Sequence, residues 1–374
     1  MRKCEVTQMK TIKTLWRNRR DCMISYGIVL TAFIIVQIMM MTGNISSSLK
    51  GQLVPICAYV VMAISLNLTV GILGELSLGH AGFMSVGAFA GIVVTTSLAD
   101  AVPYAPLRLA IAMVVAALCA AIAGVIIGIP VLRLNGDYLA IVTLAFGEII
   151  KNIVNVLYIG LDENGLHFSL IEPKFTLAEG GEIIINGPMG VGGVTKISTF
   201  TSGVVLILLT LFVVQNLIHS RTGRAIMSVR DNKIAAESIG ISVTRYKLLA
   251  FVISASLAGM AGTLYAMNYS TVTASKFDFN LSILVLVFVV LGGLGNIWGS
   301  VIAAALLTIL PELLRAMKDY RMLIYAILLI VMMIFNNSGL KQRMLEKYRA
   351  KRAAANAGKT AAAMAANTGN KEDA

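Results

Sequence analysis

Charge is the scarcest commodity in this chain. Only 13% of its 374 residues are Asp, Glu, Lys or Arg, against 57% hydrophobic residues. Mean hydropathy is +0.81. That balance excludes a soluble enzyme of this length. Cysteine is also sparse: Cys4 and Cys22 lie near the N-terminus, Cys57 and Cys119 inside apolar runs. None has CxxC or metal-ligand spacing, which excludes a disulfide framework and a cysteine metal site. A phosphate loop is lacking too. Gly358-Lys359-Thr360 resembles the end of one, but Ala353 stands where its first glycine belongs, and no strand precedes it. The chain is therefore not expected to bind ATP itself, and no cofactor or metal is predicted. No small-residue cleavage site follows the first apolar run, so the pattern is not that of a cleavable signal peptide. What remains in excess is positive charge, 31 Lys and Arg against 19 acids. It sits in short segments between apolar runs, which points to orientation in a membrane and away from nucleic acid.

The apolar runs dominate the rest. A bilayer core of about 30 Å needs about 20 helical residues. Candidate spans are Ile24–Met41, Leu53–Leu73, Ala81–Leu98, Leu109–Ile129, Tyr138–Tyr158, Gly203–Leu217, Leu248–Ala266, Leu281–Leu291, Val301–Leu314 and Met322–Phe335. The fold class predicted is an all-α polytopic integral membrane protein of about ten helices, with 8–10 as the range. A basic N-terminal segment (1–23) precedes the membrane domain (24–335). A basic, then Ala-rich tail (336–374) follows, read as disordered.

Lys/Arg bias sets the expected orientation. Basic residues cluster before the first span, in the 221–247 connection (Arg221, Arg224, Arg230, Lys233, Arg245, Lys247) and after the last span. An even number of crossings puts all three, and both termini, in the cytosol. The 159–202 connection then falls outside. Its acids Asp162, Glu163, Glu172, Glu179 and Glu182 outnumber Lys174 and Lys196. Its GEIIING and GPMGVGGV read as a short strand with tight turns, a possible lid. Arg315, Lys318 and Arg321 break the rule, since they would face outward.

Three stretches could carry mechanism. In GILGELSLGHAG, Gly71, Gly74, Gly79 and Gly82 interrupt an apolar region, while Glu75, Ser77 and His80 supply polar groups. Two readings stay open: a broken helix lining a translocation pathway, or a tight cytosolic turn with a glycine-packed helix start. In RLNGDYLAIVTLAFGEIIK, Gly136 and Asp137 predict a turn and cap, and Thr143 and Glu148 follow on the span. Glu148 lies about 16 Å along a helix from Asp137, near mid-membrane. Ionisable groups there are expensive and face a cavity or a partner. Lys151, on the same helical face, is that partner if the pair is structural. In the third stretch, a helix is predicted from near Asp231 through Ala235 and Ala236 to a C-cap at Gly240. Its small alanines suit docking into a partner's groove, or it is an amphipathic connector. The glycine cluster LGGLGNIWGS (291–300) is either a re-entrant turn or a connector.

At these residues the chain resembles the branched-chain amino-acid ABC transporter permeases, in the superfamily that includes ribose-type permeases. The segments GELSLGHAGFMSVGAFAG, LRLNGDYLAIVTLAFGEI, RTGRAIMSVRDNKIAAESIGISVTRYKLLAFVISASLAGMAGTLYA and LGGLGNIWGSVIAAALLTIL carry the likeness, in order, between about Ile24 and Phe335. The second resembles the LivM-type subunit rather than its LivH-type partner. The resemblance implies an ABC importer permease fold and a cytosolic coupling helix of pattern EAA-x-x-x-G. Ala235, Ala236 and Gly240 match it, with Ile234 in place of the glutamate and Asp231 or Glu237 as substitutes. Arg230 and Asn232 flank it. The implied partners are a LivH-like second permease chain, two ABC ATPases holding ATP and magnesium, an external binding protein and membrane lipid, in a bacterial plasma membrane. An ion-coupled secondary transporter using Glu148 and Glu75, or a membrane scaffold, are the alternatives.

Overall fold

The computed structural model describes residues 26–27, 29–42, 46–99, 101–134, 136–162, 165–170, 182–314 and 320–337. The basic N-terminal segment (1–23), the tail beyond Asn337, and residues Arg315 and Lys318 lie outside this set. Its helices are α1 (Val29–Met41), α2 (Ser47–Asn67), α3 (His80–Ser97), α4 (Ala105–Val131), α5 (Asp137–Asn155), α6 (Phe200–His219), α7 (Arg221–Asp231), α8 (Lys233–Ser238), α9 (Val243–Ala266), α10 (Phe279–Gly292), α11 (Ile297–Leu313) and α12 (Arg321–Asn337). Six stretches among the described residues are long and apolar enough to cross a membrane: Ser48–Leu73, His80–Ser97, Ala105–Val131, Phe200–His219, Val243–Ala266 and Ala274–Gly292. α1 and α11 are shorter apolar helices. The fifth expected span differs from this set. It ends at Asn155, two residues before a strand begins, and Asp137, Glu148 and Lys151 make it amphipathic rather than uniformly apolar.

The core forms where α9 packs between α2, α3 and α4. The sequence SLAGMAGT gives α9 small residues where neighbouring backbones come closest. A Cβ on Gly259 would lie 2.5 Å from Ala120 Cβ, and Gly87 of α3 meets the Gly259 backbone directly. Thr263 Oγ1 donates to the Gly87 carbonyl across this contact at 2.9 Å. Lipid tails are as apolar as leucine, so such close packing and interhelical hydrogen bonds hold membrane helices together.

Among its described residues, the connection after α5 forms three strands where its turn signals indicate one. Strand β1 (Leu157–Asp162) lies between β2 (Gly165–Leu170) and β3 (Glu182–Asn186), antiparallel to both. The GEIIING strand is β3. A short ladder ties the sheet region to the end of α9: the Val191 amide donates to the Val272 carbonyl at 2.9 Å, and Val272 reciprocates at 3.0 Å. α6 and α9, about 30 and 36 Å long at 1.5 Å per residue, connect this end of the bundle with the end carrying α7 and α8. The contact pattern divides the chain after Glu312. In the second unit, the described part is chiefly α12, with Leu323, Ile327, Ile330 and Ile334 exposed.

Candidate functional site

Two linked places hold the residues singled out in the sequence. The first is the α7–α8 hairpin. Here the expected helix from Asp231 is corrected. Asp231 is the last residue of α7, and the chain breaks at Asn232 (φ −157°), whose Oδ1 accepts the Ala235 amide at 3.0 Å. The cap starts a fresh helix at Lys233 because it satisfies an amide that has no intrahelical acceptor. α8 stops as predicted at Gly240, which has φ +84°. The Ile241 amide donates to Ala236 O (3.1 Å) and the Gly240 amide to Glu237 O (3.0 Å). This paired arrangement is a Schellman motif, with Ile241 folding back on the helix it closes.

The two alanines of α8 part company. Ala235 is exposed, whereas Ala236 is 2% exposed and packs with Val229 of α7, Val243 of α9 and Ile241. Ala236 therefore anchors α8 to its own chain and is not part of an outward docking face. The outward face belongs to Ile234 and Ile239, which are 80% and 74% exposed. Arg230 also turns away from it: Nη1 donates to the Gly71 carbonyl at 3.2 Å, and Nη2 lies 3.0 Å from Asp231 Oδ1.

The second place is the break after α2. Leu68–Leu73 form a buried π-helical turn, which Gly74 ends at φ +81°. Residues 74–79 then run without helix to α3. Glu75 pairs with Lys247, a lysine only 4% exposed near the start of α9. Ser77 is buried, and its hydroxyl has no partner among the described residues. Gly79 lies against the Thr143 backbone of α5, and Gly82 against Gly147. The Leu78 amide donates to Thr143 Oγ1 at 3.1 Å, and His80 Nε2 and Ser65 Oγ are hydrogen-bonded at 2.8 Å. α3 thus begins deep in the bundle, level with the middle of α5 and the last turns of α2. Elements of both readings of GILGELSLGHAG are present: the helical run is broken between α2 and α3, and Gly79 and Gly82 pack the start of α3 closely against α5.

A second helix N-terminus meets it. The Ala81 amide of α3 donates to Ser282 Oγ in the first turn of α10, at 3.1 Å. Glu148 accepts the Phe279 amide at the start of α10 (3.2 Å) and pairs with Lys151, the expected partner. A carboxylate at a helix N-terminus is stabilised by the helix dipole. A small pocket between α3, α5 and α10 includes Leu78, Gly82, Gly147, Glu148, Phe279 and Ser282 in its lining. The structure therefore gathers Gly79, His80, Gly82, Thr143 and Glu148 into one region, and leaves Gly74 and Glu75 beside α7 and α9.

Sequence reasoning missed Lys247, Asn67 and Ser282. Lys247 was counted as an orientation charge, although it opens the apolar run KLLAF. Asn67 is a lone amide inside an apolar span, itself a signal of a polar contact. It accepts the Gly295 amide at 2.9 Å and donates to Ser300 Oγ at 3.0 Å. The 291–300 glycine cluster is thereby a turn packed on the π-helical turn. Ser282 carried no signal.

A family model described as branched-chain amino acid transport system / permease component matches residues 48–335. The chain is 39% identical over 295 residues to the high-affinity branched-chain amino acid transport system permease protein LivM of Salmonella typhimurium, covering 75% of this chain and 67% of that protein. The Escherichia coli LivM is 38% identical over 293 residues, with the same coverage. The Escherichia coli LivH permease protein is 30% identical over 132 residues, 34% of this chain and 42% of that protein. No solved structure matches the chain. With four sequence motifs, a polytopic helical bundle and a family match across that bundle, the chain belongs to the permease components of the branched-chain amino acid transport systems.

Proposed function

We propose that this chain is one of two permease chains in an ATP-driven importer of branched-chain amino acids. The relatives named LivM and LivH are permease proteins of a high-affinity branched-chain amino acid transport system, which supports both the substrate class and a LivH-like second chain. Two ABC ATPases would bind ATP and magnesium and grip this chain from the cytosol. An external binding protein would deliver substrate, and this chain would hold no cofactor. The protein would reside in the bacterial plasma membrane with both termini cytosolic.

The observation that carries the coupling role is the α7–α8 hairpin. It is seated on its own chain through Ala236 and Arg230, yet presents Ile234 and Ile239 outward. A short, pinned helix with an apolar face transmits a partner's movement instead of yielding to it. At the other end of the break, the facing N-termini of α3 and α10 and the Glu148 carboxylate give the pathway polar groups at depth. Discontinuous helices are tolerated there only where they line a cavity or lie buried in protein. Substrate would pass as these helices move between inward- and outward-open arrangements.

Proteoliposomes holding the complete complex, the binding protein and labelled leucine test this reading. Uptake should require ATP on the ATPase side and persist when proton and sodium gradients are collapsed. Uptake that continues without ATP and stops when an ion gradient is dissipated would make the chain an ion-coupled transporter instead.

A further inference from the structure

We propose that Arg230 is a positioning residue that passes movement of the α7–α8 hairpin to the N-terminal end of α3, through the π-helical turn that closes α2. The inference deepens the importer reading and rests on it. It assigns Arg230 to the permease side of the coupling, where the sequence pattern had placed it among groups facing the ATPase.

Two contacts join Arg230 to one turn. Nη1 donates to the Gly71 carbonyl at 3.2 Å, inside the π-helical segment. Its aliphatic stem covers Gly74, where an added Cβ would lie 2.6 Å from Arg230 Cγ. The turn is held elsewhere by elements outside the hairpin. Asn67 ties it to Gly295 of the α10–α11 turn and to Ser300 of α11, and Glu75 ties it to Lys247 of α9. Within the described residues, Arg230 is the hairpin's hydrogen bond to the turn.

A five-residue link, residues 75–79, joins the turn to α3. It is pinned near its far end, where the Leu78 amide donates to Thr143 Oγ1 and Gly79 lies against the Thr143 backbone. On this proposal a displacement of Gly71–Gly74 reaches α3 through that pinned link. On this proposal the π-helical turn is the element with two arrangements that transmission requires. Its i→i+5 bonds can re-form as the i→i+4 bonds of α2, which changes the register of the chain that follows. The Glu75 amide, bonded to Thr69 O at 3.1 Å, marks the wide closure of the present arrangement.

The test measures ATP hydrolysis and leucine uptake in the same proteoliposomes of the complete complex. Arg230→Ala should assemble with its partners and hydrolyse ATP, while uptake per ATP falls about tenfold, within the range of coupling energies between linked sites. Arg230→Lys, which keeps a stem and a donor, should restore most of that ratio. Arg230→Met, which keeps an aliphatic stem and loses the donor to the Gly71 carbonyl, should lower the ratio as Arg230→Ala does. If Arg230→Ala weakens assembly, the ratio in assembled Arg230→Met complexes decides. An unchanged ratio in assembled Arg230→Ala or Arg230→Met complexes overturns the proposal. A parental complex whose uptake ignores ATP overturns the importer reading and this inference with it.

Discussion

Lys247 shows how a single side chain can be misassigned from sequence and recovered from geometry. It closes a basic stretch, so charge counting assigns it to the membrane surface, yet it is buried against Glu75. A buried pair costs desolvation on both sides, and removing one partner leaves an uncompensated charge. Glu75→Ala should therefore destabilise the permease by about 3–5 kcal/mol, read as a lower thermal midpoint of the detergent-solubilised protein. The double change Glu75→Leu with Lys247→Met should recover most of it, because apolar groups of similar volume can replace a buried pair. Equal destabilisation by the single and double variants would mean that the pair itself stabilises the fold beyond what apolar packing supplies there, and that an uncompensated charge is not the cause. Glu148 occupies a different setting. It is one-third exposed and shared between Lys151 and the first amide of α10. Glu148→Gln keeps an acceptor for Phe279, so uptake per assembled complex should survive it. Glu148→Ala removes both contacts and should lower assembly. Normal assembly of Glu148→Gln with lost uptake would instead make the carboxylate charge part of the pathway.

At the scale of the element, α8 separates what sequence can say from what packing decides. Its C-terminal stop was legible because glycine is the residue that adopts φ +84° without strain. Its start was not: Asp231 and Asn232 are both good N-caps, and only the backbone break selects Asn232. Nor does the pattern Ala235-Ala236 reveal which alanine faces inward, since that depends on Val229 and Val243 from neighbouring helices. The consequence is experimental. Ala236→Trp should now be a folding defect, because overpacking a filled contact costs about 1–3 kcal/mol. Ile234→Asp and Ile239→Asp should leave the permease folded, since both side chains are exposed, and reduce co-purification of the ATPases about tenfold or more, as loss of a central apolar anchor does. ATPase recovery at parental yield from both aspartate variants would move the docking surface off α8. The broken α2–α3 connection was legible as a glycine-rich interruption. Its depth was not, because it is fixed by long-range contacts to Thr143, Ser65 and Ser282.

For the whole molecule, the apolar runs made a polytopic helical bundle legible, while the sheet was only partly so. β3 announced itself as an apolar strand between glycines, but β1 and β2 form a hairpin whose residues, LYIGLD and GLHFSL, merge with the apolar end of α5. The bundle separates two chemically different ends. α7 and α8 carry Arg221, Arg224, Arg230 and Lys233 at one end of α6, and the sheet lies in the connection that leads into its other end. Cytosolic loops are rich in Lys and Arg, so the hairpin should face the cytosol and the sheet the exterior. Single cysteines make this measurable. In a chain with Cys4, Cys22, Cys57 and Cys119 replaced by serine or alanine, Phe168→Cys on exposed β2 should react in intact cells with a membrane-impermeant maleimide. Ile234→Cys, though exposed on α8, should react only after the membrane is permeabilised. The opposite labelling pattern would invert the molecule, place α8 beyond reach of any cytosolic ATPase, and remove the physical basis for coupling through the hairpin.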